Sequence, residues 1–185
     1  MHQISGAELS MLAQELGFET CLEFDAGLLV PEQWIRDLCA ENKCGRYGKH
    51  YMCPPYTGSL EEIKAKLKEF QRGVLVQYSK TLDVTSDEKG LLQTMVEFHN
   101  MILKFEDRLR DQGLKHIWGL IAGTCGLCGD CKAQTGDPCP YPDKARNSME
   151  SLAVNVVKLL EKLGLDCEIH KDRVTASGVV LFREE

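Results

Sequence analysis

Apolar residues recur along this chain at two periods, and each change of period marks an element. Leu9, Leu12, Ala13 and Leu16 share one helical face, opened by Ser5-x-x-Glu8 and closed by Gly17. The opening fits a capping box and the glycine a helix stop. Ser59-x-x-Glu62 opens a second such pattern with Ile63, Leu67 and Phe70, and Thr85-x-x-Glu88 a third. The third is long: Leu91, Leu92, Met95, Phe98, Ile102, Phe105 and Leu109 form a stripe that runs to Gly113. A helix from Asn147 carries Leu152, Val156, Leu159, Leu160 and Leu163 to Gly164, and another is expected from Pro31 to Cys39.

Strand patterns lie between these helices. Phe18 to Phe24 alternates, with Phe18, Leu22 and Phe24 on one face, and Leu165 to His170 alternates again. Val74 to Tyr78 and Ile117 to Ala122 are continuous apolar runs, the pattern of strands covered on both faces. Val179 to Phe182 follows Leu165 to His170 closely enough to form a hairpin with it. Strand and helix therefore alternate along most of the chain. The expected architecture is α/β (α+β): one layered domain over residues 1–185, a mixed β-sheet with packed helices.

Composition changes this picture in one respect. At 43% hydrophobic and 27% charged over 185 residues, the chain has enough apolar surface for a core and is too apolar for disorder. A formal net charge of −6 argues against nucleic acid or an anionic membrane as partner. The start, Met1 to Gly6, is polar and unlike a secretory signal, and no apolar run approaches the ~20 residues of a membrane span. The expected compartment is cytoplasmic. The departure is nine cysteines, more than packing needs in a reducing compartment, where clustered thiols favour metal or redox chemistry over disulfides.

Seven of the nine fall in two windows. The first is Cys39-x4-Cys44-x8-Cys53, followed by Pro54-Pro55, and the second is Cys125-x2-Cys128-x2-Cys131-x7-Cys139, followed by Pro140. Five of the six prolines lie in or beside them, and five glycines sit between Gly119 and Gly136. These residues build tight irregular loops, expected at 39–58 and 123–142. A thiolate at every third residue can present three sulfurs to three corners of an iron–sulfur cubane, and Cys139-Pro140 supplies a fourth with the Cys-Pro pair of bacterial ferredoxins. Gly126 and Gly129 would let the backbone wrap closely. The alternative is zinc, although zinc usually takes two separated pairs of ligands.

Cys39, Cys44 and Cys53 are accompanied by Lys43, Arg46, Lys49 and His50, whose positive charge favours thiolate. Cys139 is able to serve either group. Seven thiolates supply two four-iron clusters with one position left over, and an iron without a cysteine can bind substrate, a small anion or water. Cys167-x2-His170 resembles a ligand pair, but strand alternation places its two side chains on opposite faces. Cys21, His99 and His116 are read as structural.

The combined string resembles a known family. Cys39, then Cys44-Gly45-Arg46-Tyr47-Gly48-Lys49, Cys53-Pro54-Pro55, the three cysteines from Cys125, Pro138-Cys139-Pro140 and Ser148-Met149-Glu150 are similar to small prokaryotic proteins described as predicted metal-binding, a domain of unknown function. The resemblance covers nearly the whole chain. It implies a metal site, iron–sulfur in kind, on the seven cysteines, and carries no reaction.

Three functions are compatible with these residues. The leading one is a protein with one or two 4Fe-4S clusters that transfers electrons to a redox protein partner. The second is an enzyme whose open iron at Cys39, Cys44 and Cys53 binds a small anionic ligand oriented by Arg46, Lys49 and His50. The third is a zinc-stabilised binding module.

Overall fold

The computed structural model describes residues 4–183, so Met1 to Gln3 of the polar start lie outside the described residues. In chain order the elements are α1 (Gly6–Glu15), β1 (Thr20–Asp25), α2 (Gln33–Ala40), α3 (Leu60–Leu67), β2 (Arg72–Thr81), α4 (Glu88–Asp111), β3 (His116–Leu120), α5 (Val156–Lys162) and β4 (Arg173–Arg183). The result is a single α+β domain. Its sheet has the order β1-β2-β4-β3 with every neighbouring pair antiparallel, so the sheet is not mixed in strand direction.

The continuous apolar runs do report coverage on both faces. Val74, Val76, Val180 and Phe182 point toward α1 and α4, where Leu9, Leu12, Phe98, Ile102, Phe105 and Leu109 meet them. Leu75, Val179 and Leu181 point the other way, into Ile63 and Leu67 of α3 and Leu159 and Leu160 of α5. Helices on both sides thus bury an antiparallel sheet as fully as a parallel one.

Local chemistry explains where elements begin. Ser5 and Ser59 each accept the backbone N–H three residues on, and Glu8 and Glu62 reach back, completing both capping boxes. At the third site the hydroxyl of Thr85 is already donated to Asp83 Oδ1 at 2.6 Å. The cap of α4 therefore moves to Asp87, which accepts from Gly90 N–H at 2.8 Å. The helix expected from Asn147 is broken as well. A short 3-10 turn at Glu150–Leu152 ends on Ala153 in the left-handed region at φ 63°, and α5 starts afresh from Asn155. Pro31 lies outside α2, bridged to Val154.

Two strand expectations fail. Leu165 to His170 forms no strand: Asp166 accepts Glu168 N–H at 2.9 Å in an Asx turn, and Ile169 is 93% exposed. No hairpin joins it to the last strand, which instead pairs through Arg173 to Phe182 with β2 and through Val179 to Arg183 with β3. Phe18 precedes β1 and packs with Phe98 and Phe105, whereas Phe24 enters the opposite core.

One buried ion pair ties the helix layer to the sheet and to the chain beyond β3. Glu106, fully buried on α4, accepts from Arg146 Nε at 2.7 Å and a second guanidinium nitrogen at 2.6 Å. It also accepts from Arg110 at 2.8 Å and from the Gly119 N–H of β3 at 2.7 Å. Burial alone would raise its pKa, but these donors outweigh that and hold it below the ordinary carboxylate range. Gly119 is required by closeness: a Cβ there would stand 2.3 Å from Glu106 Oε1 and 2.6 Å from Ile102 Cγ2.

Glu106→Gln is expected to cost about 3–5 kcal/mol in urea unfolding, because it leaves the Arg146 cation buried without its partner. The wild-type contribution should be complete above about pH 4.3, the unfolded glutamate value, and be lost as pH falls through the depressed folded value. An acid titration of stability in which Glu106→Gln matches wild type at every pH would contradict this. Gly119→Ala should destabilise by about 1–3 kcal/mol, since Glu106 is pinned by its donors and cannot yield to the new methyl.

Candidate metal centre

The two cysteine windows are the connections that leave α2 and β3. The first runs from the end of α2 to Ser59 at the cap of α3, and Arg36 secures its far end by donating to Thr57 Oγ1 and the Gly58 carbonyl. The second leaves β3 and returns beside it, closed where Ile121 N–H donates to the Asn147 carbonyl at 2.9 Å. The first half of α4 backs the second loop. Val96 stands where a Cβ on Gly126 would need to be, at 2.7 Å, and His99 Nε2 donates to the Lys144 carbonyl at 2.9 Å. Gly126 is thus required by close approach, while a Cβ on Gly129 would meet nothing within 4 Å. The left-handed positions are Asn42, Gly45, Gly48 and Gly58 in the first loop and Gly123 and Gly136 in the second.

The loops also interlock. Met52 N–H donates to His50 Nδ1 at 3.3 Å, so the proton sits on Nε2, which donates to the Cys125 carbonyl at 2.9 Å. Burial pushes the pKa of His50 down and keeps the ring neutral. Tyr51 Oη donates to the Asp137 carbonyl at 2.7 Å, and Asn147 Nδ2 to the Met52 carbonyl at 3.2 Å.

This packing makes two neighbouring pockets, one for each window. The first holds Cys125, Cys128, Cys131 and Cys139, walled by His50, Tyr51, Met52, Leu127, Tyr141 and Ala145. The second holds Cys39, Cys44 and Cys53 with Arg46, Tyr47, Thr124, Ser148, Glu150 and Ser151 among its walls. Their volumes, including space open at the mouth, are about 290 and 550 Å³. Cys139 therefore lies with the second-window thiols and does not cross over.

Loss of water raises the thiol pKa in both pockets, and neighbouring sulfurs add to it. Burial pushes Cys125 up, with Cys128 and Cys139 adding, against backbone N–H bonds from Leu127 and Arg146 to its sulfur. Cys128 is raised by desolvation and by Cys139 and Cys131. In the three-thiol pocket Cys39 is raised by burial and Cys44, with Arg36 opposing. Cys53 is pushed up to about 11 by burial and by Cys44 and Cys39, although the Thr124 side chain and Arg46 pull it back. Thr124 adjoins Cys125 in sequence, so neighbouring residues line the two pockets. Thiols gathered in one pocket and partly withdrawn from water favour a cation that would neutralise their thiolate forms.

A tetrahedral zinc ion holds its sulfurs about 3.8 Å apart, from Zn–S bonds of about 2.3 Å. Among the described residues no three cysteine sulfurs lie within 4.8 Å of one another; the group that meets this limit is Asp166, Glu168 and His170. These are exposed or half-exposed, and His170 Nε2 and Asp166 are already paired at 2.7 Å.

The remaining candidates are structural. Cys21 and Cys167 pack against the two cores, away from both pockets. His99 is buried with its Nδ1 unpartnered, and burial lowers its pKa. Of the three residues expected to orient an anion, Arg46 alone lines the three-thiol pocket; Lys49 is exposed and His50 is the strut between the loops. Glu150 was not singled out by ligand spacing. It stands exposed at the pocket mouth, yet its carboxylate is desolvated enough to raise its pKa against bonds from its own backbone N–H and Ser148. The signal that could have found it is Ser148-Met149-Glu150, which belongs to the motif string although it contains no cysteine.

No curated protein and no solved structure matches the chain. No helix among the described residues is long and apolar enough to cross a membrane. A family model described as "Predicted metal-binding protein (DUF2284)" matches residues 23–182, a span that contains both thiol pockets, and the chain belongs to that family.

Proposed function

We propose that the chain is an iron–sulfur protein with two four-iron clusters, one held by Cys125, Cys128, Cys131 and Cys139 and one by Cys39, Cys44 and Cys53, and that it passes electrons to a protein partner. The observation that carries this reading is the partition of seven thiols into two adjoining pockets, four in one and three in the other. Thiolates are the usual ligands of such clusters, and sulfurs spread more widely than a single zinc ion requires suit a polynuclear core. A bound four-iron cluster supplies a one-electron couple.

The protein residues supply the rest. N–H groups of Leu127 and Arg146 directed at the Cys125 sulfur stabilise negative charge there. Tyr51, Met52, Leu127 and Tyr141 wall the four-thiol pocket against water. Arg36 and Arg46 offset the charge of the three-thiol set. Thr124 lines the three-thiol pocket and its neighbour Cys125 the four-thiol pocket, so adjacent residues of the chain join the two sites.

Anaerobically purified protein should be brown and carry about eight iron and eight sulfide per chain. Cys128→Ser and Cys53→Ser should each lower that content by about half and remove different components of the reduced spin-resonance spectrum. Colourless protein with stoichiometric zinc would refute the proposal. Chelation should unfold the loops in either case, so the colour and sulfide content carry the decision.

A further inference from the structure

We infer that the carboxylate of Glu150 is the fourth ligand of the three-cysteine site, making it an oxygen-completed cluster; this rests on the two-cluster reading above. Seven thiolates leave one iron position without a cysteine, and the two remaining cysteines are committed to the cores. A ligand must therefore come from another side chain in the pocket of Cys39, Cys44 and Cys53, or from solvent.

The walls of that pocket narrow the choice. Arg46 is a cation and cannot ligate. The Thr124 side chain is engaged with Cys53. Ser151 Oγ donates to the Ser148 carbonyl at 2.9 Å, and Ser148 Oγ accepts Ser151 N–H at 3.2 Å. Tyr47 offers a phenol, an O–H donor as well as an acceptor, where a carboxylate is an acceptor alone. Glu150 is the one wall residue that carries a carboxyl group, whose two oxygens are the kind of donor that iron accepts beside thiolate.

The backbone holds it beside the thiols. The Cys39 thiol donates to the Glu150 carbonyl at 3.8 Å, and α2, which ends next to Cys39, packs against the Glu150–Leu152 turn. That turn is the break in the expected helix from Asn147, and it presents Glu150 at the pocket. A carboxylate is a harder ligand than thiolate, so its iron should be the first to leave under oxidation.

The test compares wild type with Glu150→Gln and Glu150→Cys, all loaded anaerobically, with Glu168→Gln as a surface control. Each is treated with one equivalent of ferricyanide and a ferrous-specific chelator. One electron passes from the cluster to ferricyanide and one ferrous ion departs, leaving an oxidised three-iron cluster with its own spin-resonance signal. Iron release should be about tenfold or more faster in Glu150→Gln than in wild type, the scale on which lost support weakens metal binding. Glu150→Cys should be slower than wild type, and the control unchanged. Equal rates and equal spectra in all four loaded proteins would overturn the inference while leaving two clusters in place. Wild type without iron and sulfide would instead remove the cluster reading and this inference with it. Should Glu150→Gln fail to fold, the comparison of Glu150→Cys with wild type decides the matter alone.

Discussion

The buried pair of Glu106 and Arg146 is the constraint on which the site depends. A carboxylate with no exposure to water is strongly unfavourable unless its oxygens are met, and here both are, by two arginines and a strand N–H. Because the donors come from α4, β3 and the end of the second loop, satisfying one charge fixes three parts of the chain relative to each other. Arg146 also donates its backbone N–H to the Cys125 sulfur and side-chain N–H groups to the Asp143 and Ala145 carbonyls. The geometry of the four-thiol pocket is thus set from behind by an interaction that never touches it.

The second loop in turn carries the first. His50 is neutral, buried and bonded through both ring nitrogens to backbone, so it acts as a strut whose length sets how close the windows come. The resulting pockets share one wall at Thr124 and Cys125 but differ in kind. The four-thiol pocket is closed by aromatic and aliphatic side chains, whereas the three-thiol pocket is nearly twice as large and contains a guanidinium, hydroxyls and a carboxylate. Two clusters in such surroundings would differ in potential, since exposure, hydrogen bonds to sulfur and ligand charge all act on it.

Much of this was legible along the chain. Helices with strong caps and clean stripes appear where the pattern puts them, as Ser5 and Ser59 illustrate. The misreadings share a cause: a side chain with a local alternative to the regular element. Asp83 captures Thr85 and shifts the start of α4. Asp166 turns Leu165–His170 into a loop although its apolar residues alternate. Alternation also misled at Phe18, whose side chain joins α4 across the sheet from Phe24. The grouping of the thiols was readable because cysteines close in sequence are close in space. Glu150 and the role of His50 were not, because each is defined by residues far away in the chain.

By itself the sequence determined the content of the two cysteine loops, the double coverage of the sheet and the gathering of seven thiols into two windows. Those follow from spacing and periodicity, which act over a few residues. Strand order and direction, the seating of Cys139 with its own window, the adjacency of the pockets and the carboxylate at the mouth of one of them were decided only by tertiary structure. They depend on pairings such as His50 with Cys125, Cys39 with Glu150 and Glu106 with Arg146. The preference for such distant partners comes from burying apolar surface and satisfying buried charge together, and neither is expressed in any local stretch of residues.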